Sequence, residues 1–487
     1  MQEVLNAHAN HGSVFRTGAA NGGWGPIMSY RAHLALVATL ITGTAWGQEV
    51  TATSTTIART WRQDTPGMGQ STYTPATEYL GVDATRLGLD GLSMHLYGWG
   101  ASDLADASAI GGKQAGNLTY GYLQYDFGRA NAQVKAGRFT VNQGVGNEQV
   151  DGITARTDLR FGFLVSGFAG KPVIFKNLSN NHQDDNAYEH DFTYGGRLAW
   201  REAKVGELGV SYLQDGSQPA YDLGLPGTVV DYTRRELGLD VHLTPISRLD
   251  VAGRTVFDVN DRPQAAPGAD NSHVAEHNYK VTGKLSDQVA LTGTFVERNF
   301  FAYFAGTTLP SLFNQNEQGM FRASGASLTW AATSKLQVLG DLRRTDRGNQ
   351  GDTTRIGADL RYALAERHIQ AGGGYHQVNG FTVASVDTAV PTYSLSHREF
   401  RAWIMAERGA ASASLDTILL HYDDANNPSL NHHATQSAVM GSVGYQARAE
   451  VKVSGDLSYE DTPLYQRQVA ALLRVECRFG LAGKGGK

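Results

Sequence analysis

Charged side chains that recur at every second position are the groups in this chain best placed to do chemistry. Near the end of the chain, Arg474, Glu476 and Arg478 alternate with apolar residues, and similar runs occur upstream. Arginine outnumbers the acidic residues in these runs, but both signs are interleaved. Rings of one sign select ions, whereas mixed signs more often form pairs along a wall. The pattern therefore predicts a polar wall and leaves its selectivity open.

Catalytic and cofactor motifs do not stand out beside these charges. We find no Ser-His-Asp arrangement, no glycine-rich phosphate loop and no pair of catalytic carboxylates. Cys477 is the single cysteine, so the sequence holds neither an internal disulfide nor a C-x-x-C-H haem motif. The His and acidic residues between His182 and Asp191 match no metal-ligand spacing. We therefore predict no enzyme activity, no metal site and no cofactor.

Strands must position the charges, because the alternation has a period of two and a helix would mix charges into its apolar stripe. Lipid offers no hydrogen bonds to a backbone, so strands that are apolar outside and polar inside must close into a barrel. We predict an all-β, antiparallel transmembrane β-barrel of about 20 strands (range about 18–22) over residues 48–479. The candidate residues that line its water-filled lumen are Arg197, Arg201, Arg248, Asp250, Arg254, Asp258, Arg355, Asp359, Arg361, Glu450, Lys452, Asp456, Arg474, Glu476 and Arg478.

Short and long connections alternate along the chain. Tight joints fall at sites such as Asp90-Gly91 and Gly409, and long polar segments such as 102–116 and 300–319 lie between joints. This asymmetry is typical of outer-membrane barrels, which have short periplasmic turns and long extracellular loops. We therefore predict a location in the outer membrane of a Gram-negative bacterium, with both barrel ends on the short-turn side.

The longest stretch without alternation is segment 141–191, which we predict to be a loop. It either folds inward and narrows the lumen or covers the mouth of the barrel, and the sequence leaves both open. If Phe161–Phe168 belongs to an extra hairpin, the strand number rises to about 22. The candidate constriction residues are Arg138, Glu148, Asp151, Arg156 and Asp158.

The N-terminal region predicts export. Residues 28–47 combine a basic start, a short apolar run and a small-residue cleavage site, which is the pattern of a signal peptide. We interpret residues 1–27 as an extension before the true start and residues 480–487 as a C-terminal tail. A helical membrane protein is excluded, because no run of about 20 apolar residues is present. The net charge of −5 gives no reason to expect nucleic acid as a partner.

The chain resembles the outer-membrane porins of Gram-negative bacteria in its signal peptide, its alternating strands and the aromatic Phe479 of its last strand. In that family the aromatic residue normally ends the chain, whereas Gly480–Lys487 follow it here. A narrower resemblance rests on Ala136–Leu159 (AGRFTVNQGVGNEQVDGITARTDL), which looks like the porin-like barrels of metal-reducing bacteria. Those barrels sheathe multihaem c-type cytochromes, so this resemblance implies that any haem belongs to a partner.

Two functions remain open as expectations. The barrel is either a channel for small solutes or ions, passive or substrate-specific, or the sheath of a porin–cytochrome conduit for electron transfer. Outer-membrane lipid is a partner in both cases, and multihaem c-type cytochromes are partners in the second. A homo-oligomer is a further expectation, because many porins are trimers, although the sequence indicates no interface.

Overall fold

Antiparallel strands make up almost all of the described chain. The computed structural model describes residues 49–65, 69–105, 114–128, 130–173, 192–216, 234–259, 274–299, 320–348, 351–364, 368–383, 393–425, 427, 430, 433–462 and 467–482. The predicted extension and signal peptide, residues 1–47, lie outside these ranges. Among the described residues, no helix is long and apolar enough to cross a membrane.

The strands in chain order are β1 (Glu49–Thr65), β2 (Gly69–Tyr73), β3 (Pro75–Thr85), β4 (Leu92–Asp103), β5 (Gln114–Phe127), β6 (Ala132–Gln143), β7 (Gly146–Asp158), β8 (Phe163–Pro172), β9 (Thr193–Glu202), β10 (Gly206–Asp215), β11 (Arg234–Ile246), β12 (Leu249–Asp258), β13 (Val274–Lys284), β14 (Val289–Asn299), β15 (Met320–Ala331), β16 (Leu336–Asp346), β17 (Asp352–Leu364), β18 (Ile369–Asn379), β19 (Thr382–Val383), β20 (Tyr393–Ser394), β21 (His397–Arg408), β22 (Ala411–Tyr422), β23 (Thr435–Arg448), β24 (Val451–Asp461) and β25 (Gln468–Ala482). The 3-10 turn Arg160–Gly162 joins β7 to β8.

The sheet closes on itself because β1 pairs with β25, from Glu49 opposite Ala482 to Arg62 opposite Val469. β2 and β3 follow one another along β1 and form one barrel strand, while β19 and β20 form a separate small hairpin. The result is a closed antiparallel barrel of 22 strands. This confirms the predicted fold class. The last strand extends to Ala482, three residues into the predicted tail.

Large apolar side chains cover one face of the strands and polar side chains the other. Leu457 on β24 is 60% exposed and Leu473 on β25 is 53% exposed, whereas Arg474 lies on the opposite face. Side chains two strands apart meet on the polar face, as Arg197 of β9 and Asp240 of β11 do. Inward-pointing side chains of a closed barrel converge, so the polar face is the inner one. The apolar face forms an outer belt of the kind that contacts lipid.

Tight turns collect at the end of the barrel where β1 begins and β25 ends. The predicted joints at Asp90-Gly91 and Gly409 fall in such turns. Gly91 (φ +91°), Asn131 (φ +44°) and Gly409 (φ +59°) all have a positive φ, and Gly409 lies in the two-residue turn between Arg408 and Ala411. The long connections lie mostly outside the described residues.

Segment 141–191 differs from the predicted single loop. β7 and β8 occupy much of it and pair with each other, and β8 pairs with β9, while residues 174–191 lie outside the described residues. The loop prediction is therefore wrong for residues 146–172, and the extra hairpin gives the strand number of 22. The alternation is obscured because β7 follows the wall only from Val150 onward.

Candidate functional site

The β6–β7 hairpin leaves the barrel wall before its tip. β6 pairs with β5 from Ala132 to Arg138, and β7 pairs with β8 from Val150 onward. Beyond these points the two strands pair with each other, ending at Gln143 opposite Gly146. We call residues 139–149 the inner hairpin, because its apolar residues and its tip contact the inner faces of β8 and β10–β13.

Gly137 and Arg138 direct the chain out of the wall. Gly137 has φ +128°, and a Cβ there would overlap the carbonyl oxygen of Gly121 on β5, so this position requires glycine. Arg138 Nε and Nη2 each donate to the carboxylate of Asp151 at 2.7 Å. Such bidentate pairs are strong and directional. They clamp the base of the inner hairpin.

The departure of β6 would leave backbone carbonyls of β5 without ladder partners. Arg138 Nη1 donates to the carbonyl oxygen of Leu118 at 3.0 Å, and the side chain of Gln149 donates to that of Thr119. A backbone group that lacks a hydrogen-bond partner in a water-poor wall lowers the stability of the fold by about 1–3 kcal/mol. Side chains of the hairpin therefore complete the strand edge that the hairpin exposes.

An apolar cluster holds the inner hairpin against the wall. Val150 is fully buried and Phe139 is 2% exposed, which is unusual for side chains that point into a polar lumen. Each buried side chain of this size contributes about 1.5–3 kcal/mol. The members of the cluster are Phe139, Val141 and Val145 from the hairpin, and Val150, Phe168, Leu213, Val256 and Ala275 from the wall.

Close backbone approaches fix the tip of the hairpin. The amide of Val145 donates to Ser211 Oγ on β10 at 3.0 Å. A Cβ at Gly144 would overlap the Ser211 side chain, and a Cβ at Gly238 on β11 would overlap that of Val145. Glycine at both positions therefore permits the contact.

An ion pair adds a second fixed point near the tip. Arg234 on β11 pairs with Glu148 of the hairpin and lies 3.7 Å from Glu236 Oε1 through its Nε. The three side chains are largely buried. Loss of one partner would leave a charge in a site with little water.

The predicted constriction residues divide into two groups. Arg138, Asp151 and Glu148 lie at the base and near the tip of the inner hairpin, where they hold it. Arg156 and Asp158 lie further along β7 in the barrel wall, and Asp158 accepts a hydrogen bond from the side chain of Asn131 near a tight turn. The apolar anchors were not predicted, although Phe139 and Val141 continue the alternation of β6.

Arginines on the inner face are held by carboxylates of neighbouring strands. Arg197 Nη2 lies 2.6 Å from Glu207 Oε1, and its Nε donates to Asp240 Oδ1 at 3.0 Å. Arg254 Nε donates to Glu276 Oε1 at 2.9 Å. Charges of opposite sign are therefore paired along the wall, in line with the interpretation of the mixed signs.

Other predicted lumen residues are spread over the same face and its turns. Arg201 lies 2.7 Å from Glu207, Asp250 2.9 Å from His242, Arg361 3.0 Å from Gln370 and Arg474 3.8 Å from Glu476. Asp258 is buried at the end of β12, and Arg355 and Asp359 lie on β17. Lys452 and Asp456 lie on β24 and Arg478 on β25, whereas Arg248 and Glu450 lie in tight turns.

Comparison with known proteins identifies the fold. The sequence matches no protein-family model and no curated protein. The structure is similar to the ferric enterobactin receptor PfeA of Pseudomonas aeruginosa, with a TM-score of 0.54 and 9% identity over 88% of this chain and 80% of that chain. It is also similar to the siderophore receptor PirA of the same organism, with a TM-score of 0.51, 9% identity and the same coverage.

A third similar structure, OccAB4 of Acinetobacter baumannii, has a TM-score of 0.42 and 9% identity over 90% of this chain and 99% of that chain. At such identities the likeness to PfeA and PirA defines the fold alone, which is that of a Gram-negative outer-membrane β-barrel. The outer apolar belt agrees with this fold, because a barrel of this kind presents apolar side chains to lipid.

Proposed function

We propose that this protein forms a water-filled channel for small solutes or ions across the outer membrane and that the inner hairpin sets its width. The observation that supports this most directly is the inner hairpin, which turns inward from the wall. Apolar contacts, the Arg138–Asp151 pair at its base and an ion pair near its tip hold it in place. A segment fixed in this way narrows the lumen permanently, whereas a loosely held one would open and close.

The paired charges support a channel without strong preference for one sign. Arginine and carboxylate groups neutralise each other locally, as Arg197 does with Asp240. Selectivity for ions needs rings of one sign. We therefore expect weak charge selectivity and a cutoff determined mainly by size.

The inner hairpin also favours the channel over a cytochrome sheath. It occupies lumen space along β8–β13 that an enclosed protein would need. A barrel purified gently from native membranes should therefore be colourless. A stoichiometric haem absorption band that co-purifies with it would contradict the channel and support the sheath.

Shortening the inner hairpin tests the channel. Residues 141–148 are replaced by Asn-Gly, which forms a two-residue hairpin turn and joins Thr140 to Gln149 in their present register. We expect a clear rise in single-channel conductance in planar bilayers, because the tip no longer projects into the lumen. Deleting all of 145–190 would be a poor test, since it removes the wall strands β7 and β8.

The matched control is the double variant Asn142→Ala, Asn147→Ala, which alters the same segment without shortening it. Both residues pair with each other near the tip. Its conductance should stay close to that of the unchanged protein. Equal conductance of the shortened and unchanged barrels, both correctly folded, would overturn the constriction.

A further inference from the structure

Asp341, Asp359 and His376 come together on the inner face of β16, β17 and β18. His376 Nε2 lies 2.8 Å from Asp341 Oδ1 and 3.3 Å from Asp359 Oδ2. One ligand atom from each residue lies within 4.8 Å of the other two. The His376 side chain is only 7% exposed and that of Asp359 is 40% exposed. The group is therefore buried on the histidine side and accessible on the Asp359 side.

Gly357 creates the space in which these side chains meet. It pairs with Asp341 on one side and with His376 on the other. A Cβ at Gly357 would overlap the imidazole of His376. Gly374 pairs with Asp359, and a Cβ there would overlap that carboxylate. Two missing side chains therefore let residues from strands that are not neighbours touch.

Arg355 fixes the orientation of Asp341. Its Nη1 donates to Asp341 Oδ2 at 2.8 Å, which leaves Oδ1 facing His376. Its Nε donates to Glu399 Oε2 at 3.2 Å, and His397 Nε2 lies 3.3 Å from Glu399 Oε1. Outer partners of this kind orient metal ligands and raise their affinity.

We propose that Asp341, Asp359 and His376 form a binding site for a divalent transition-metal ion in the lumen. One imidazole nitrogen with two carboxylates suits Zn²⁺ and its first-row neighbours, whereas Mg²⁺ and Ca²⁺ prefer oxygen ligands alone. Ligand atoms about 2.0–2.1 Å from a tetrahedral Zn²⁺ lie about 3.3 Å apart. Nε2 already has this separation from Asp359 Oδ2, at 3.3 Å, whereas its 2.8 Å separation from Asp341 Oδ1 would lengthen when the ion binds.

Charge balance supports the same assignment. The two carboxylates face one imidazole, whose Nε2 lies between them. A divalent ion bound by the three atoms would neutralise both carboxylates. Three protein ligands leave one coordination position open, and this position is accessible from the lumen beside Asp359. The site lies on strands other than those of the inner hairpin, so it stands independently of the constriction.

Metal titration of the folded barrel tests the proposal. The full-length protein, purified without a polyhistidine tag in detergent, is titrated with ZnCl₂ and, separately, MgCl₂ by calorimetry. We expect one Zn²⁺ site and much weaker binding of Mg²⁺. His376→Gln should weaken Zn²⁺ binding at least about tenfold, since even outer-shell changes weaken metal sites about 10–100-fold. Asp359→Asn, at the more exposed ligand, gives a second test if His376→Gln folds poorly.

His242→Gln is the matched control. His242 also faces a carboxylate, Asp250, at 2.9 Å, but this pair offers two ligands instead of three. Binding should be unchanged in this variant. If the unchanged protein binds Zn²⁺ no more tightly than His376→Gln and Asp359→Asn, or if His242→Gln loses binding equally, the cluster is an ion-pair network and the proposal is wrong.

Gly357→Ala examines the geometry without touching a ligand. Its methyl group would displace the His376 ring, so Zn²⁺ binding should fall about as far as in His376→Gln. Gly340→Ala on β16 is its control, because the nearest atom to a Cβ there is a carbonyl oxygen 3.9 Å away. Normal Zn²⁺ binding by a folded Gly357→Ala would contradict the proposed arrangement.

Discussion

Single residues decide where the barrel wall turns inward. Gly137 permits a backbone conformation that other residues rarely adopt, and Arg138 joins the hairpin base to the β5 edge. The arginine forms contacts with Asp151, Asn117 and Leu118. One side chain therefore satisfies both a carboxylate and a strand carbonyl.

Replacing Arg138 should destabilise the barrel. Arg138→Ala leaves the Leu118 carbonyl and the Asp151 carboxylate without this donor, so the free energy of unfolding should fall by about 1–3 kcal/mol. Arg138→Lys should recover only part of the loss, because lysine cannot form the bidentate pair. Urea unfolding in lipid vesicles measures the effect. Arg361→Ala, at an exposed arginine beside Gln370, is the control, and equal losses would contradict this role.

The sequence identified some site residues and missed others for a physical reason. Arg138, Glu148 and Asp151 lie in one stretch of chain, so the sequence alone places their charges together, and the structure brings them to one hairpin. Asp341 and His376 are on different strands and meet across Gly357. Such contacts depend on strand register, which no local motif records. The available signal was that Asp341 and His376 are separated along the chain by about the length of one hairpin, which places them on strands close to each other in the sheet.

Strands were predictable wherever they follow the wall along their whole length. The alternation of β24 and β25 continues from one end to the other, because one face contacts lipid and the other water. β7 follows the wall only from Val150 onward, and the inner hairpin buries that side chain in the lumen. The contacts of the inner hairpin therefore obscure the apolar–polar alternation by which the sequence identifies a barrel strand.

The two faces of β24 give a direct test of orientation. Leu457 lies mid-strand and is 60% exposed on the outer face, whereas its neighbour Ser458 points inward. Leu457→Arg should lower the free energy of unfolding by about 2–4 kcal/mol if it lies near the bilayer midplane. Ser458→Arg should cost much less, because its charge reaches the lumen. Unfolding in vesicles measures both, and equal costs would mean that the faces are reversed.

The whole molecule depends on closure between its first and last strands. β1 pairs with β25 along almost its full length, and β25 also pairs with β24. The sequence predicted a closed barrel of about 20 strands, or about 22 with an extra hairpin, because the final number depended on β7 and β8. Closure itself follows from the lack of hydrogen-bond partners in lipid.

Removing β25 should therefore prevent formation of the barrel, and not merely weaken it. A chain that ends at Arg467 leaves the edges of β1 and β24 unpaired in a medium that cannot satisfy them. After refolding into lipid vesicles, an unheated sample of this shorter chain should show no compact, detergent-resistant band on a gel. A chain that ends at Ala482, where β25 ends, should refold and migrate as the full chain does. Compact migration of the shorter chain would show that closure through β1 and β25 is not what stabilises the fold.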